Sequence, residues 1–439
     1  MNWLTRLTVV CTLMFSCVSA HAQLTIEITH GEDNPTPIAI VPFAGGNALS
    51  QSLSAIISSD LRYSGQFSPL ATGDMLGHPT DRSEVYFRDW RAVGSDYLVI
   101  GKVSKLNSNY TLNYQLLDVT TQKLLLNKKI SGNLDQLRDI AHAASDEIFQ
   151  QLTGMRGAFS TKILYVRRIA LGGGEYNYAL LMADADGQRE KVLLNSSEPI
   201  VSPTWSPDGS EIAYSSFESG KQQIYRQVIA TGQRQKLTNF NGLNSAPAYS
   251  PDGKQLAMVL SKAGSPDIYI MDLATKKLTR VTKHYAIETE PNWSNDGKAI
   301  LYTSDKGGSP QIYQVNLSDG WKERITFNGA YNARARVLLD GSGIVMVHRP
   351  EKGGDYHIAL QNLERGTIRI LSDNALDESP TVAPNGSMML FATNITGTSI
   401  LQAVSIDGHT SFNLPSSAGS VREPSWSPFL TSPVLVTDQ

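Results

Sequence analysis

Trp205-Ser206-Pro207-Asp208-Gly209 returns as Tyr249-Ser250-Pro251-Asp252-Gly253 and again as Trp293-Ser294-Asn295-Asp296-Gly297. Weaker copies are Val337-Leu338-Leu339-Asp340-Gly341 and Val382-Ala383-Pro384-Asn385-Gly386, and Trp426-Ser427-Pro428 stands near the C-terminus. The first positions, 205, 249, 293, 337, 382 and 426, are spaced by 44, 44, 44, 45 and 44 residues. A proline lies two residues upstream in five copies, at Pro203, Pro247, Pro291, Pro380 and Pro424; the fourth copy has Ala335 there. A repeat of about 40–50 residues indicates a propeller or a solenoid.

Ser-Pro-Asp-Gly suits a type I turn, with Ser at its first position, Pro at the second and Gly at the fourth. An apolar strand follows each turn, for example Ile212-Ala213-Tyr214 and Leu256-Ala257-Met258. A hairpin and a short fourth strand complete the unit. One strand, a turn and three more strands make one propeller blade. Helical periodicity is absent from this region, which disfavours an α-solenoid.

Sets of three strands occur six times, near 163–195, 212–238, 256–282, 300–326, 344–372 and 389–415. The first set has no motif before it, and the last motif, at 424–428, has no strands after it. Giving the C-terminal strand to the first blade joins the ends and removes two open sheet edges. The expectation is an all-β six-bladed propeller over 161–430, closed by the C-terminal strand, with Trp426 buried in the closing blade.

Residues 23–155 read as a mixed α/β N-terminal domain. Ile38-Ala39-Ile40-Val41-Pro42-Phe43 is a buried strand, and 97–103, 110–119 and 123–130 are further strands. Residues 48–63 and 134–152 are amphipathic helices, with Gly65 and Gly154 placed to end them. Residues 1–22 read as a signal peptide, with Arg6, an apolar run and Ala20-His21-Ala22 as a small-x-small cleavage site. Cleavage is expected after Ala22.

The 439 residues, at ~150 per domain, allow about three domains, or fewer if one is a large all-β unit. Lys and Arg number 38 against 41 Asp and Glu, a net charge of −3, so there is no basic footprint for nucleic acid or an anionic membrane. Both cysteines, Cys11 and Cys17, lie in the signal. The mature chain therefore has no disulfide, thiolate metal site or cysteine nucleophile, and core packing alone must hold it together.

No phosphate-binding glycine loop is present. Gly172-Gly173-Gly174 and Gly45-Gly46 read as surface loops. G-x-S-x-G is absent, which excludes the serine hydrolase that often accompanies such propellers. His284, His348, His357 and His409 lack close ligand spacing and read as scattered over different blades. Glu198, Glu288, Glu290, Asp377, Glu378 and Glu423 precede the motifs and read as a polar rim on one face, suited to receiving a protein. Tyr214, Met258, Tyr269, Tyr302 and Tyr313 read as packing between blades. No catalytic residue, metal ligand or cofactor site is assigned. The alternative reading is a secreted β-propeller polysaccharide lyase or glycosidase, which a bound metal or turnover of pectin-like sugars would favour; a third is a scaffold with other partners.

The whole mature chain resembles the TolB family of the periplasmic Tol-Pal system. The residues that carry the resemblance are the signal, Val41-Pro42-Phe43, Pro247-Ala248-Tyr249-Ser250-Pro251-Asp252-Gly253, 376–386 and Trp426-Ser427-Pro428-Phe429-Leu430. A mixed domain before six repeats is its most specific feature. The fourth copy departs at Ala335 and Val337, which bears on its turn geometry and not on the ring. The resemblance implies a non-enzymatic periplasmic adaptor in a trans-envelope complex that maintains the outer membrane and supports constriction at cell division. It implies two partners, the peptidoglycan-associated lipoprotein Pal and the inner-membrane-anchored TolA, with membranes reached only through them. By position, Pal-facing loops fall at Leu243, Asn244, Ser245, Ala246, Glu288, Thr289 and Glu290. The TolA-binding arm falls at Gln23, Leu24, Thr25, Ile26, Glu27, Ile28, Thr29, His30, Gly31, Glu32 and Asp33. The alternation in 24–29 suits a strand that adds to a sheet edge.

Overall fold

In the computed structural model, residues 35–46, 49, 52–415 and 419–438 are described. The signal peptide and the arm at 23–33 lie outside the described residues.

The N-terminal sheet runs in the order β2 (Phe67–Pro69), β1 (Thr36–Ile40), β3 (Tyr97–Leu106), β4 (Asn109–Asp118) and β5 (Leu124–Asn133). Strand β1 is parallel to both neighbours, and β3 to β5 form antiparallel hairpins. Helices α1 (Leu53–Tyr63) and α3 (Leu137–Thr153) cover one face, where Ile38 and Ile40 point. Ala39 and Val41 point to the other face, against Trp90 of the short helix α2 (Phe87–Ala92). A central parallel strand is buried on both sides, which is why it reads as a continuous apolar run. Ser52 caps α1 through its side chain, and Gly154 ends α3 with φ near 76°. The second expected helix thus begins a few residues later than 134, after a single 3-10 turn at Leu134–Gln136.

The propeller has six four-stranded blades. Blade 1 takes its inner strand, Ser420–Trp426, from the C-terminal end and pairs it with Lys162–Gly172, so the ring closes as expected. Blades 2 to 6 begin with inner strands Ile200–Trp205, Asn244–Tyr249, Glu288–Trp293, Tyr331–Val337 and Asp377–Val382. The turns after them are of the expected kind: Gly209, Gly253 and Gly297 each donate to the carbonyl of the Ser three residues before, at 2.9 Å. Each has φ near 70°, which glycine adopts without a Cβ penalty. Trp205 donates from Nε1 to the Ser425 carbonyl (3.1 Å), and Trp293 to that of Ala248 (3.0 Å), tying each inner strand to the one before. Trp426 is half-buried, not buried, and donates to Thr161 Oγ1 at 2.8 Å.

Past the ring, the chain returns to the N-terminal domain. Leu435–Asp438 pairs antiparallel with β5 as a sixth strand, and Val434 sits in that domain's core. The reading of the sequence stopped at 430 and missed this strand, β2 and α2.

The two domains meet on the turn-bearing side of blades 1 and 6. Tyr63 stacks on Phe412 (centroids 4.1 Å apart), and Arg156 lies over the Phe429 ring. Between them lies a charged cluster. Asp184 of blade 1 accepts from Lys162 (2.6 Å), Arg189 (2.7 Å) and Arg138 of α3 (3.2 Å). Burial opposes its charge, but His142, Arg189 and Lys162 outweigh that and hold the carboxyl well below the usual range. Asp60, His142 and Asp186 come close enough together to suggest a metal site. Ser145 and Arg138 already occupy the carboxylates of Asp60 and Asp186, so the group is an ion-pair network.

Candidate functional site

The inner strands build the channel through one device repeated six times. In blade 2, Thr204 pairs with Ala213 and Val201 with Ser215, so Ser202 and Pro203 together oppose Tyr214 alone. The same slip recurs in every inner strand. The first residue of each bulge has a positive φ of 48–58°: Ser202, Ala246, Glu290, Arg334, Ser379 and Glu423. A bulge re-aims a side chain, and these six line the channel. Opposite them stand Tyr214, Met258, Tyr302, Met346, Phe391 and Tyr165, all buried to within 1%. A left-handed conformation at a non-glycine residue costs of order 1–3 kcal/mol and persists only where packing over-determines it; these large side chains supply that packing.

Three of the six form a charged knot. Arg334 donates from Nε to Glu290 (2.7 Å) and from both terminal nitrogens to Glu423 (3.0 and 3.1 Å), and it also reaches Ser379 Oγ. Its backbone N–H donates to Glu290 as well, at 3.1 Å, and Thr303 donates to the same oxygen at 2.8 Å. Burial disfavours the guanidinium, but the two glutamates outweigh it and raise its pKa. Glu423 is correspondingly lowered: burial resists, and Arg334 prevails.

This places the departure of the fourth copy. Its turn is ordinary, with Gly341 donating to Leu338 at 2.9 Å. What differs is the channel-lining segment Arg334-Ala335-Arg336, in place of a small residue or glutamate, proline and a neutral residue.

On the side away from the N-terminal domain, the loops entering the inner strands form an open face. Two residues before each bulge, a side chain turns inward and is buried, and in blades 3 to 6 it is polar: Asn244, Glu288, Asn332 and Asp377. Asn244 ties its own loop by donating to the carbonyls of Phe240 (2.9 Å) and Gly242 (3.0 Å). Burial raises the carboxyls of both Glu288 and Asp377. In blades 3, 4 and 6 the residue just before this buried position points out and is apolar: Leu243, Ile287 and Leu376 are 43%, 52% and 44% exposed. Tyr285 (87%) and Phe327 (70%) flank them. The result is an apolar crown over blades 3 to 6.

The site residues named from sequence therefore separate. Leu243 belongs to the crown. Ser245 and Thr289 are half-buried strand residues beside it. Asn244 and Glu288 are buried, and Ala246 and Glu290 line the channel; none of these four is an exposed loop residue. The acidic rim does not form either: Glu290 and Glu423 are in the knot and Asp377 is buried, leaving Glu198 exposed and Glu378 half-buried. Tyr285, Ile287, Phe327 and Leu376 were missed; Ile287 and Leu376 share the repeat position of Leu243, and that offset was the available signal. The histidines do not converge on the channel. His348 and His357 share blade 5 as cross-strand partners, a correction to the expected scatter. His348 is pushed down to about 4 by burial and by His357, and its Nδ1 is 2.7 Å from Asn332 Oδ1.

Two family models match the chain, the TolB amino-terminal domain over residues 24–125 and the TolB β-propeller domain over 149–430. The chain is 56% identical over 414 residues to the Tol-Pal system protein TolB of Pseudomonas aeruginosa, covering 94% of this chain and 96% of that one. Its counterpart from Pseudomonas fluorescens SBW25 is 54% identical over 415 residues, with 94% and 96% covered. The crystal structure of TolB from Acinetobacter baumannii superposes with a TM-score of 0.84 at 41% identity, covering 93% of this chain and all of that one. With both of its domains matched and such relatives aligned over nearly their whole length, the chain belongs to the TolB family of Tol-Pal system proteins.

Proposed function

We propose that the protein is a non-enzymatic periplasmic adaptor of the Tol-Pal complex, exported with cleavage after Ala22. It binds Pal through the open propeller face and TolA through the arm at 23–33, and so supports outer-membrane integrity and constriction at division. The observation that carries this reading is the apolar crown of Leu243, Tyr285, Ile287, Phe327 and Leu376. Large apolar side chains left exposed together on one face of a rigid ring are the feature of a protein-binding face.

The test is the affinity of the mature protein for the soluble domain of Pal. Leu243→Asp with Ile287→Asp should weaken it more than tenfold, about 1.4 kcal/mol, with melting unchanged because both positions are exposed. Unchanged affinity would move the site off the crown. Ala246→Trp is a poorer probe, since Ala246 sits at φ 48° in the channel. Deleting 23–33 should abolish TolA capture while Pal binding survives; retained TolA capture would reject the arm.

A further inference from the structure

We infer that the propeller channel holds a small oxyanion, a phosphate or a carboxylate, on the guanidinium of Arg336. Two residues beyond the first ring of channel side chains lies a second ring: Thr204, Ala248, Asn292, Arg336, Thr381 and Ser425. Five of these are small and neutral. Arg336 alone is charged, and its one hydrogen bond to the described residues runs from Nη1 to the Ala335 carbonyl, at 3.0 Å. The two carboxylates that line the same cavity, Glu290 and Glu423, are both committed to Arg334. The channel thus contains two guanidiniums and one fully paired ion-pair knot, and the second guanidinium has no carboxylate of its own.

A charge taken out of bulk water needs a partner or a hydration shell. A guanidinium presents five N–H donors in a planar fork, a geometry that matches carboxylate and phosphate oxygens two at a time. Here four of the five donors remain for a ligand. Thr204 and Ser425 line the same cavity with hydroxyls that, among the described residues, have no hydrogen-bond partner, and they can donate to the same oxyanion. The cavity measures about 80 Å³, well above the ~10–15 Å³ that a single water requires. Burial and the neighbouring Arg334 work against the charge on Arg336 and outweigh the favourable field of Glu290 and Glu423, a deficit that a bound anion would relieve. The knot supports the site in a second way. By fixing Glu290 and Glu423 on Arg334, it keeps them from folding onto Arg336 and leaves that fork open. The departure Arg334-Ala335-Arg336 then has a single account: one arginine closes the knot and the other binds the anion.

The test is titration of the full mature protein, followed by the arginine side-chain N–H resonances at constant ionic strength. Sodium phosphate and sodium acetate serve as separate probes, with sodium chloride as the reference. The expected result is a saturable shift of the Arg336 signal with phosphate, acetate or both, which also tells the two sources apart. The variants are read at the Arg334 signal in the same cavity: Arg336→Thr, which installs the residue found at 204 and 381, should abolish its oxyanion-dependent shift. Arg336→Lys keeps the charge and loses the fork, and should weaken binding at least tenfold. A wild-type signal that shifts no more with either oxyanion than with chloride would overturn the proposal, whatever the variants do. So would saturable binding of equal strength in the Arg336→Lys protein.

Discussion

His142 of α3 donates from Nδ1 to Asp60 Oδ2 of α1 across 2.8 Å, and its Nε2 faces Asp184 of the propeller at 3.7 Å. All three are buried. One imidazolium therefore joins two helices of one domain to a blade of the other. Burial opposes the charge, but Asp60 and Asp184 outweigh it and push the pKa up to about 10. A histidine raised above its ordinary value of 6.5 stabilises the fold fully below 6.5, and that contribution disappears as the pH rises through about 10. Urea midpoints should therefore fall between pH 6.5 and 10. Asp60→Asn should lower stability by about 3–5 kcal/mol, the cost of removing one partner from a buried pair, and should flatten the pH dependence. A wild-type midpoint that holds constant over this range would show that His142 is neutral.

The seam of the ring gives a second expectation. Trp205 is buried and donates to Ser425, the strand that closes blade 1. Trp205→Ala removes a large side chain from the blade 1–blade 2 interface and should cost about 3–5 kcal/mol. Trp426→Ala, at a half-buried position, should cost clearly less. Thermal melts of the two variants would rank them; the reverse order would contradict the packing described here.

The strand after the ring should be separable from ring closure. Ending the chain at 433 leaves every blade intact but removes Val434 from the N-terminal core and exposes the β5 edge. Losing one buried valine costs about 1.5–3 kcal/mol, and a bare edge invites self-association. The shortened protein should melt earlier and scatter light in a concentration-dependent way. Unaltered melting would mean that Leu435–Asp438 adds nothing to the fold.

Within the channel, Glu290 and Arg334 should be coupled. Combining Glu290→Gln with Arg334→Met in a double-mutant cycle should yield a coupling of about 0.5–3 kcal/mol. The guanidinium is 27% exposed to the channel, so screening holds the figure below that of a dry pair. Strict additivity would show that the knot is held by geometry alone.

The sequence by itself determined the ring. A 44-residue period, a turn motif with a stated conformation and an unpaired strand at each end leave one economical closure, because those signals are local and strand edges must be paired. It also determined the two long helices and most strands of the first domain, where apolar spacing follows directly from which face is buried. Only the tertiary structure decided where the functional side chains point. Asn244 and Leu243 are adjacent in the chain, yet one is buried and the other crowns the open face; a strand alternates, and register alone says which side is which. Glu290 and Glu288 look alike in sequence, but the bulge turns one into the channel and leaves the other buried. The β5 partner of Leu435–Asp438 lies some 300 residues away, and four residues carry too little pattern to announce it. Arg334 and Arg336 differ in the same way: their neighbours 44 and 89 residues off, not their own types, make one a paired charge and the other an unpaired one.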